Sequence, residues 1–380
     1  NRNPVKSLAW VLVLAFLPIV GLVFYIFFGQ NFKAKRMVSR RIKRKLRKRD
    51  YHSIVNIDSL PLSEESKQEI RLCHSLCSVP YYSGSHVKIF TSGEDKFKHY
   101  LQDLEIAQEY IHIQYYIFED DKLGNRVKEV LLRCARRGIQ IRILYDDVGC
   151  WSVKKRFFKE MQDAGIAVRP FLEITFPQLA SRINYRNHRK ITVIDGKVGF
   201  IGGINISDEY INKKERFGHW KDTGLMFKGP GVENLTIMFL EMWNAIKKTD
   251  TDYAPYFPEI TYTAKQTGYV QPYADNPLDD EHTGENVYMN VLNSAREYAY
   301  FITPYLLISD EMNKAFTLAA RRGVDVRIIT PGIPDKKFVY KATRSYYNRL
   351  VKKGVRIFEY TPGFCHAKQC VSDDKAAVVG

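Results

Sequence analysis

The amino-acid sequence predicts a duplicated α/β fold, in which two similar halves follow a membrane-spanning helix. After residue 86, short apolar segments typical of strands alternate with amphipathic segments typical of helices. Segments of the first half recur in the same order in the second half, and residues 7–28 form a run of 22 residues without a charge. Alternating strands and helices favour helices that cover a largely parallel or mixed sheet.

The charge of the chain indicates an anionic partner. Its 58 basic and 42 acidic residues give a formal charge of +16, which favours nucleic acid or an anionic membrane. A hydrophobic fraction of 45% is ordinary for a globular protein, and 380 residues allow two domains or one large duplicated domain. Six cysteines are too few for a disulfide scaffold of this size and indicate a reducing compartment.

The apolar run near the start of the chain predicts a transmembrane helix over residues 7–28. At ~1.5 Å per residue such a helix would be about 33 Å long, which is enough to cross the hydrocarbon core. A cleaved signal peptide is the alternative. The run is too long for that role, and it has no evident small-residue cleavage site.

A polybasic segment, residues 33–49, follows the apolar run and contains no acidic residue. The positive-inside rule therefore places the rest of the chain on the cytoplasmic side of the cell membrane. Each Lys or Arg close to an anionic leaflet contributes about 1 kcal/mol to membrane binding. A nucleic-acid-binding tail is the alternative, which the position directly after the apolar run disfavours.

The remaining chain is predicted to form a linker at 50–85, a first half at 86–250, a connector at 251–285 and a second half at 286–380. In the first half, we predict strands at 87–90, 110–118 and 139–145, and helices at 96–108, 125–137 and 153–164. The last two helices are followed by Gly138 and Gly165, and glycine is a natural C-terminal cap.

Internal repeats support the duplication. Residues 135–139 (Ala-Arg-Arg-Gly-Ile) match residues 320–324 (Ala-Arg-Arg-Gly-Val). Residues 141–143 (Ile-Arg-Ile) match residues 326–328 (Val-Arg-Ile) at the same offset. Self-similarity at so long a period signals a duplicated domain and not a solenoid.

The chemistry is carried by a motif that occurs once in each half: H-x-K, four residues, then D. The two copies are formed by His188, Lys190 and Asp195, and by His366, Lys368 and Asp373. Residues 191–194 are β-branched throughout, so we expect the first copy to lie on a buried strand with its His and Lys on one face. A histidine can attack phosphorus while a neighbouring lysine holds the anionic oxygens. Two copies therefore predict one nucleophilic and one proton-donating histidine.

Both copies resemble the paired HKD motifs of the phospholipase D superfamily. The flanking residues 184–190, 199–205 and 363–368 are similar to those of bacterial cardiolipin synthases, and the resemblance covers nearly the whole chain. It implies a phospholipase D-like α/β/α sandwich with pseudo-two-fold halves, and it places His188 and His366 on opposite sides of one phosphate. It also implies that the family has a further N-terminal helix and a further C-terminal segment, so we expect the second half to be truncated.

The resemblance implies a reaction as well. His188 would attack a phosphatidylglycerol, His366 would protonate the leaving glycerol, and a second phosphatidylglycerol would displace the phosphohistidine to give cardiolipin. Lys190 and Lys368 would offset the charge on the nonbridging oxygens, so we expect no metal and no cofactor. The sequence also shows no carboxylate cluster typical of a two-metal site.

Other polar residues complete the candidate site. By resemblance, Asn205 matches a family asparagine that helps to bind phosphate, with a turn residue as the alternative. His219 could contact headgroup oxygens, with a structural role as the alternative.

Carboxylates near the motifs have two expected roles. We expect Asp195 and Asp373 to be structural more than catalytic, pairing with basic groups near the strand ends. A different carboxylate would orient each imidazole, and Asp222 and Glu119 are the candidates.

Three alternative functions share some of these features. A phospholipase D-type hydrolase, or a transferase for another alcohol, has the same catalytic residues and differs only in its acceptor. A nucleic-acid phosphodiesterase or binding protein would also be basic, but the apolar run disfavours it. A membrane scaffold with an inactive fold is disfavoured by the intact motifs. We therefore predict phosphatidylglycerol, other anionic phospholipids and the membrane as partners, and no nucleic acid; oligomeric state stays open.

Overall fold

The computed structural model of the chain describes residues 4–25, 56–173, 186–262, 264–265, 268–275 and 282–380. The predicted polybasic segment at 33–49 lies outside the described residues, as do the first residues of the predicted linker. The beginning of the first flanking segment of the motif, residues 184 and 185, lies outside them as well.

Two short helices take the place of the single membrane-spanning helix predicted over residues 7–28. Helix α1 (Pro4–Phe16) and helix α2 (Pro18–Phe24) are separated at Leu17, whose φ of −134° and ψ of 67° are not helical. Pro18 explains the break, because a proline disfavours the helical conformation in the residue before it. In the part of the chain that the structure describes, no helix is long and apolar enough to cross a membrane. The last residues of the predicted helix lie outside that part.

The first half is built on a mixed sheet. Its strands are β1 (His86–Phe90), β2 (Tyr110–Tyr115), β3 (Gln140–Asp146), β4 (Ala167–Phe171), β5 (Ile191–Ile194), β6 (Val198–Gly202), β7 (His219–Lys221) and β8 (Gly224–Lys228). Among the described residues, all of these except β7 form one sheet in the order β1-β8-β6-β5-β2-β3-β4. Strands β2, β3 and β4 are parallel, and the other neighbours pair antiparallel. The predicted mixed sheet is therefore confirmed.

Helices cover both faces of the first sheet. The helices up to the connector are α3 (Glu64–Cys77), α4 (Gly93–Glu105), α5 (Lys122–Arg136), α6 (Lys155–Asp163) and α7 (Val232–Ile246). Side chains of α4, α5 and α6, such as Phe97, Leu131 and Phe157, share one buried core with the sheet. Side chains of α7, such as Leu235 and Phe239, share a second core with the other face. The first half is therefore an α/β/α sandwich.

The second half repeats this arrangement. Its helices are α8 (Thr283–Ser294), α9 (Asp310–Arg321), α10 (Lys337–Ser345) and α11 (Tyr347–Val351), and its strands are β9 (Tyr298–Ile302), β10 (Asp325–Pro331), β11 (Arg356–Tyr360), β12 (Gly363–Cys365), β13 (Gln369–Ser372) and β14 (Ala376–Val379). The sheet order is β11-β10-β9-β13-β14, with a parallel first part and antiparallel pairs after β9. The series β4-β3-β2-β5-β6 in the first sheet has the same directions, which confirms the duplication.

A short parallel ladder joins the two halves. Strand β7 of the first half pairs with β12 of the second, with His219 opposite Gly363 and Lys221 opposite Cys365. The backbone N–H of His366 then donates to the carbonyl of Lys221 at 2.7 Å. The second motif is thereby held directly against a strand of the first half.

The motif aspartates have the same structural role in both halves. Asp195 follows β5 with a φ of +52°, and its carboxylate accepts the backbone N–H groups of residues 108–110 at 2.8–2.9 Å. Asp373 follows β13 with a φ of +53° and accepts the N–H groups of residues 296–298. The hydrogen-bond partners are backbone amides, and not the basic side chains expected from the sequence. Each aspartate ties the end of one strand to the start of its neighbour.

Replacing Asp195 with alanine is expected to destabilise the fold. Three N–H groups lose a charged acceptor, and hydrogen bonds to charged groups contribute about 1.5–3 kcal/mol each. Alanine also tolerates a positive φ poorly. We expect the free energy of unfolding to fall by at least about 3 kcal/mol in urea unfolding followed by circular dichroism. Asp195→Asn keeps one acceptor oxygen and tolerates the backbone conformation, so it is the control; equal losses for both variants would contradict this role.

Candidate active site

The first motif lies in a loop, and not on the strand that the sequence predicts. Residues 186–190 precede β5, which begins at Ile191 and is buried along its whole length. The loop is held by Asp146 at the end of β3, whose carboxylate accepts the backbone N–H of Asn187 at 3.0 Å. The same carboxylate accepts two N–H groups of the segment after β3. The position of His188 therefore depends on a carboxylate at the end of β3, which is separated from β5 by β2 in the sheet.

The second motif lies in the equivalent loop, between β12 and β13. In both copies the lysine folds back onto the histidine: the Nζ atom of Lys190 donates to the carbonyl of His188 at 2.5 Å, and that of Lys368 donates to the carbonyl of His366. In the first copy, the side chains of His188 and Lys190 both lie against the ring of Tyr116. The charges of Lys190, Lys368 and His366 add to the effect of burial in lowering the pKa of His188. Residues of the second copy therefore lie close enough to act on the histidine of the first.

Burial lowers the pKa of both motif lysines. The pKa of Lys190 falls to about 7 and that of Lys368 to about 8. The charge of Lys368 lowers the pKa of Lys190 further, whereas Asp222 opposes the shift of both. A phosphate beside the two ammonium groups would relieve their repulsion, so the pair is suited to binding an anion.

The imidazole of His188 is positioned by stacking. Its ring lies against the ring of Tyr116, with centroids 4.0 Å apart and planes inclined by 20°. Among the described residues, none forms a hydrogen bond with either ring nitrogen. Partial burial, followed by the charges of Lys190 and Lys368, lowers the pKa of His188 to about 4. The ring is therefore neutral at physiological pH and has a lone pair available for attack.

The imidazole of His366 is positioned by a carboxylate. Its Nδ1 atom lies 2.7 Å from Oδ2 of Asp222, and the other carboxylate oxygen accepts the N–H of Thr223 at 2.8 Å. Burial and the charge of Lys368 lower the pKa of His366, whereas Asp222 opposes both effects. Burial would raise the pKa of Asp222, but the hydrogen bond and charge of His366 hold it below its ordinary value. An ionised carboxylate beside an imidazole is suited to proton transfer.

Of the two carboxylates suggested by the sequence, Asp222 is the one placed to orient a histidine. Glu119 instead accepts the hydroxyl of Ser152 at 2.8 Å. Asp222 and His366 are 144 residues apart and meet because β7 pairs with β12. This contact crosses between the halves, so neither half alone contains the oriented histidine.

Comparison with known proteins identifies the family. The family profile described as "Cardiolipin synthase, PLD-like domain" matches residues 100–223 and 288–380, which contain both motifs. A cardiolipin synthase of Alkalihalophilus pseudofirmus is 39% identical over 385 residues, and one of Halalkalibacterium halodurans is 38% identical over 392 residues. Each match covers the whole of this chain and 76% of the relative. The chain belongs to the cardiolipin synthase family.

Two further matches agree with membership of the cardiolipin synthase family. The profile described as "Phospholipase_D-nuclease N-terminal" matches residues 1–30, the apolar region of the chain. The crystal structure of phosphatidylserine synthase from Haemophilus influenzae Rd KW20 has a TM-score of 0.52 at 14% identity, covering 82% of this chain and 81% of that chain. At this identity the likeness concerns the fold alone, and it supports the duplicated α/β architecture.

Asn205 is buried beside the candidate site, and its contact with phosphate stays a prediction. Its side chain is 1% exposed, its Oδ1 atom accepts the N–H of Ile117 at 3.1 Å, and its Nδ2 atom donates to the hydroxyl of Tyr210 at 2.6 Å. The ring of Tyr210 packs edge-on against His366, with centroids 5.9 Å apart. Because both ends of the amide are engaged in a buried place, Asn205 supports the wall of the site.

His219 lies at the exposed edge of the ladder between the halves. Its Nδ1 atom is 2.8 Å from the hydroxyl of Tyr360, a residue of the second half. This contact supports the ladder, so the structural alternative has a physical basis. Contact of His219 with a lipid headgroup stays a prediction.

Lys96 is a residue of the site that the sequence analysis did not single out. Its side chain is 2% exposed, and its ammonium group donates to the hydroxyl of Tyr115 at 2.9 Å and to the carbonyl of Ile204 at 3.0 Å. Burial lowers the pKa of Lys96 to about 7, whereas the charge of Asp222 opposes the shift. The available signal was its place in the apolar stripe of α4, four residues before Tyr100.

Asp146 was also missed by the sequence analysis. The available signal was a carboxylate directly at the end of an apolar strand, where functional side chains of α/β proteins collect. Its role became visible only when the backbone of Asn187 was placed beside β3.

Proposed function

We propose that this member of the cardiolipin synthase family transfers a phosphatidyl group from one phosphatidylglycerol to another, forming cardiolipin and releasing glycerol. The observation that supports it best is the presence of two differently held histidines at one basic site. His188 is stacked and neutral, and His366 is paired with Asp222. Relatives named cardiolipin synthase, 38% and 39% identical across the whole chain, support this choice of substrate.

The first step forms a covalent intermediate. A ring nitrogen of His188 attacks phosphorus, and the bond between phosphorus and the glycerol oxygen breaks. His366 gives its proton to that oxygen, because an alkoxide is a poor leaving group. Asp222 stabilises the imidazolium form of His366 before the transfer. Free glycerol leaves, and the phosphatidyl group stays on His188.

The second step returns the enzyme to its starting state. The free hydroxyl of another phosphatidylglycerol attacks the phosphohistidine, and His366 takes the hydroxyl proton. The bond between phosphorus and His188 breaks, and cardiolipin leaves. Lys190 and Lys368 offset the negative charge on the nonbridging oxygens in both steps. One phosphodiester replaces another, so the proposal invokes no nucleotide, metal ion or other cofactor.

We place this reaction at the cytoplasmic side of the cell membrane. Helices α1 and α2 expose large apolar side chains, including Phe16 and Ile19, which are each 80% exposed. A contiguous apolar surface of this kind is favourable in lipid and unfavourable in water. With the polybasic segment at 33–49, it supports a catalytic region held at the anionic cytoplasmic leaflet.

Lipid analysis tests the proposed reaction. The purified chain is incubated with phosphatidylglycerol vesicles in chelator, and the lipids and released alcohol are measured together. Cardiolipin with an equal amount of glycerol is the expected result. Phosphatidic acid with glycerol would mean that water is the acceptor, and the hydrolase alternative would replace the transferase. Cleavage of DNA without turnover of phospholipid would overturn the lipid assignment.

Gly203→Ala is expected to weaken catalysis by displacing Asp222. A Cβ atom at Gly203 would lie 2.2 Å from Oδ1 of Asp222, a short buried side chain that Thr223 and His366 already hold in place. We expect kcat for cardiolipin formation to fall about 10²-fold, since a misplacement of ~1 Å costs about that much. Gly224→Ala is the control, because its Cβ would have no neighbour closer than 3.4 Å. Equal activity of the two variants would contradict the positioning of Asp222.

A further inference from the structure

Two equivalent segments follow β3 and β10, each of which is the second strand from an edge of its sheet. The β3 rim segment (residues 147–155) follows β3, and the β10 rim segment (residues 332–338) follows β10. Strands β3 and β10 occupy the same place in the duplicated topology, so the two segments are equivalent parts of the two halves. Each segment begins near a glycine and contains a pair of adjacent lysines, Lys154-Lys155 or Lys336-Lys337.

Both rim segments border the candidate active site. In the β3 rim segment, a Cβ atom at Gly149 would lie 2.0 Å from the carbonyl oxygen of Tyr116, whose ring stacks on His188. In the β10 rim segment, the N–H of Ile333 donates to the carbonyl of Gly363 at 3.3 Å, three residues before His366. The two segments therefore flank the site, one beside each motif.

Each rim segment exposes large apolar side chains. Trp151 is 68% exposed in the β3 rim segment, and Phe338 and Ile333 are 85% and 40% exposed in the β10 rim segment. The lysine pairs of both segments are exposed beside them. Large aromatic side chains next to lysines are typical of protein surfaces that sit at the headgroup level of an anionic bilayer.

We propose that the two rim segments dock the mouth of the active site onto an anionic phospholipid bilayer. Trp151 and Phe338 insert at the level of the headgroups, and the lysine pairs lie over the lipid phosphates. This proposal rests on the proposed function, because a lipid-transferring site gains from facing the surface that holds both of its substrates. The charge of the lysines favours an anionic lipid surface over a neutral one. Insertion at two related points would orient the site, whereas an N-terminal anchor alone would only tether it.

Tryptophan fluorescence tests the docking directly. The sequence contains four tryptophans; Trp220 and Trp243 are buried, and Trp10 lies in α1. In a Trp10→Phe background, Trp151 is therefore the one strongly exposed indole. In phosphatidylglycerol vesicles with lipids brominated near the headgroup, we expect at least a twofold loss of its emission, with less quenching in phosphatidylcholine vesicles. Adding Trp151→Gln to the Trp10→Phe background should remove the quenched emission, which identifies Trp151 as its source. Unquenched Trp151 in phosphatidylglycerol vesicles would overturn the proposal and leave this face to water or to another partner.

Substrate presentation gives a second test. For the double variant Trp151→Gln/Phe338→Gln, we expect the ratio of activity on phosphatidylglycerol vesicles to activity on monomeric short-chain phosphatidylglycerol to fall at least tenfold. Phe358→Gln is the control, because Phe358 is 47% exposed on β11 and lies outside the rim segments. An unchanged ratio would contradict docking. If the unmodified chain turned over neither substrate, the proposed reaction would fail, and the quenching result would still decide the docking.

Discussion

Replacing His188 with alanine is expected to lower cardiolipin formation by at least about 10⁴-fold, because the reaction then loses the group that carries the phosphatidyl intermediate. In the unmodified chain, a rapid quench with phosphate-labelled phosphatidylglycerol should leave the label on the peptide that contains His188. Peptides are best separated at alkaline pH, since a phosphoramidate bond is labile in acid. Label on the peptide of His366 instead would reverse the two roles.

A substrate with a good leaving group separates the two histidines. A p-nitrophenyl phosphodiester of the same lipid needs no proton donor, because p-nitrophenolate leaves without protonation. We therefore expect His366→Ala to release about one equivalent of p-nitrophenol in a burst, although it makes almost no cardiolipin from phosphatidylglycerol. His188→Ala should give no burst. A burst in His188→Ala and none in His366→Ala would show that the second motif carries the nucleophile.

Asp222→Asn is expected to lower kcat about 10³-fold, because an amide cannot stabilise the imidazolium form of His366. In the unmodified chain, Asp222 opposes the effects of burial and of Lys368 on the pKa of His366. Loss of its negative charge should therefore lower the pKa of His366 further. Glycerol release requires protonated His366, so the alkaline limb of its pH profile should move to lower pH. The acid limb reports protonation of His188 and should stay near pH 4, the value to which burial and the neighbouring cations lower its pKa.

Glu119→Gln is the matched control for Asp222→Asn. Both changes remove one negative charge from a carboxylate near the site, but Glu119 is bound to Ser152 and touches neither histidine. We expect Glu119→Gln to keep the activity and the pH profile of the unmodified chain. If Asp222→Asn lowered kcat without moving the alkaline limb, the carboxylate would be structural and would not set the protonation of His366.

The topology could be predicted because it depends on local signals. The β-branched run at 191–194 forms a strand buried along its length, and the repeats at 135–143 and 320–328 fall in equivalent parts of the two halves. Gly138 and Gly165 adopt φ values of +85° and +86° after their helices, as their positions predict. The helix over 7–28 was not confirmed. Its prediction rested on the absence of charges and did not consider that Pro18 disfavours the helical conformation of Leu17.

The contacts of the site could be predicted only in part, because they depend on long-range pairing. The motif histidines and lysines are recognisable from spacing, but the choice between Asp222 and Glu119 required the pairing of β7 with β12. For Asn205, residue type and position predict a phosphate ligand, and only the structure shows that Ile117 and Tyr210 hold its side chain in place.

The pairing of β7 with β12 also determines the stage of synthesis at which the candidate active site is complete. The first half can fold early during synthesis, within reach of lipids that would be its substrates. At that stage Asp222 lacks its partner His366, which follows 144 residues later, and under the proposed mechanism His188 then has no proton donor for the leaving alcohol. Under the proposed mechanism, the ladder therefore couples catalysis to completion of the fold, and we expect a chain without its second half to release no glycerol from phosphatidylglycerol.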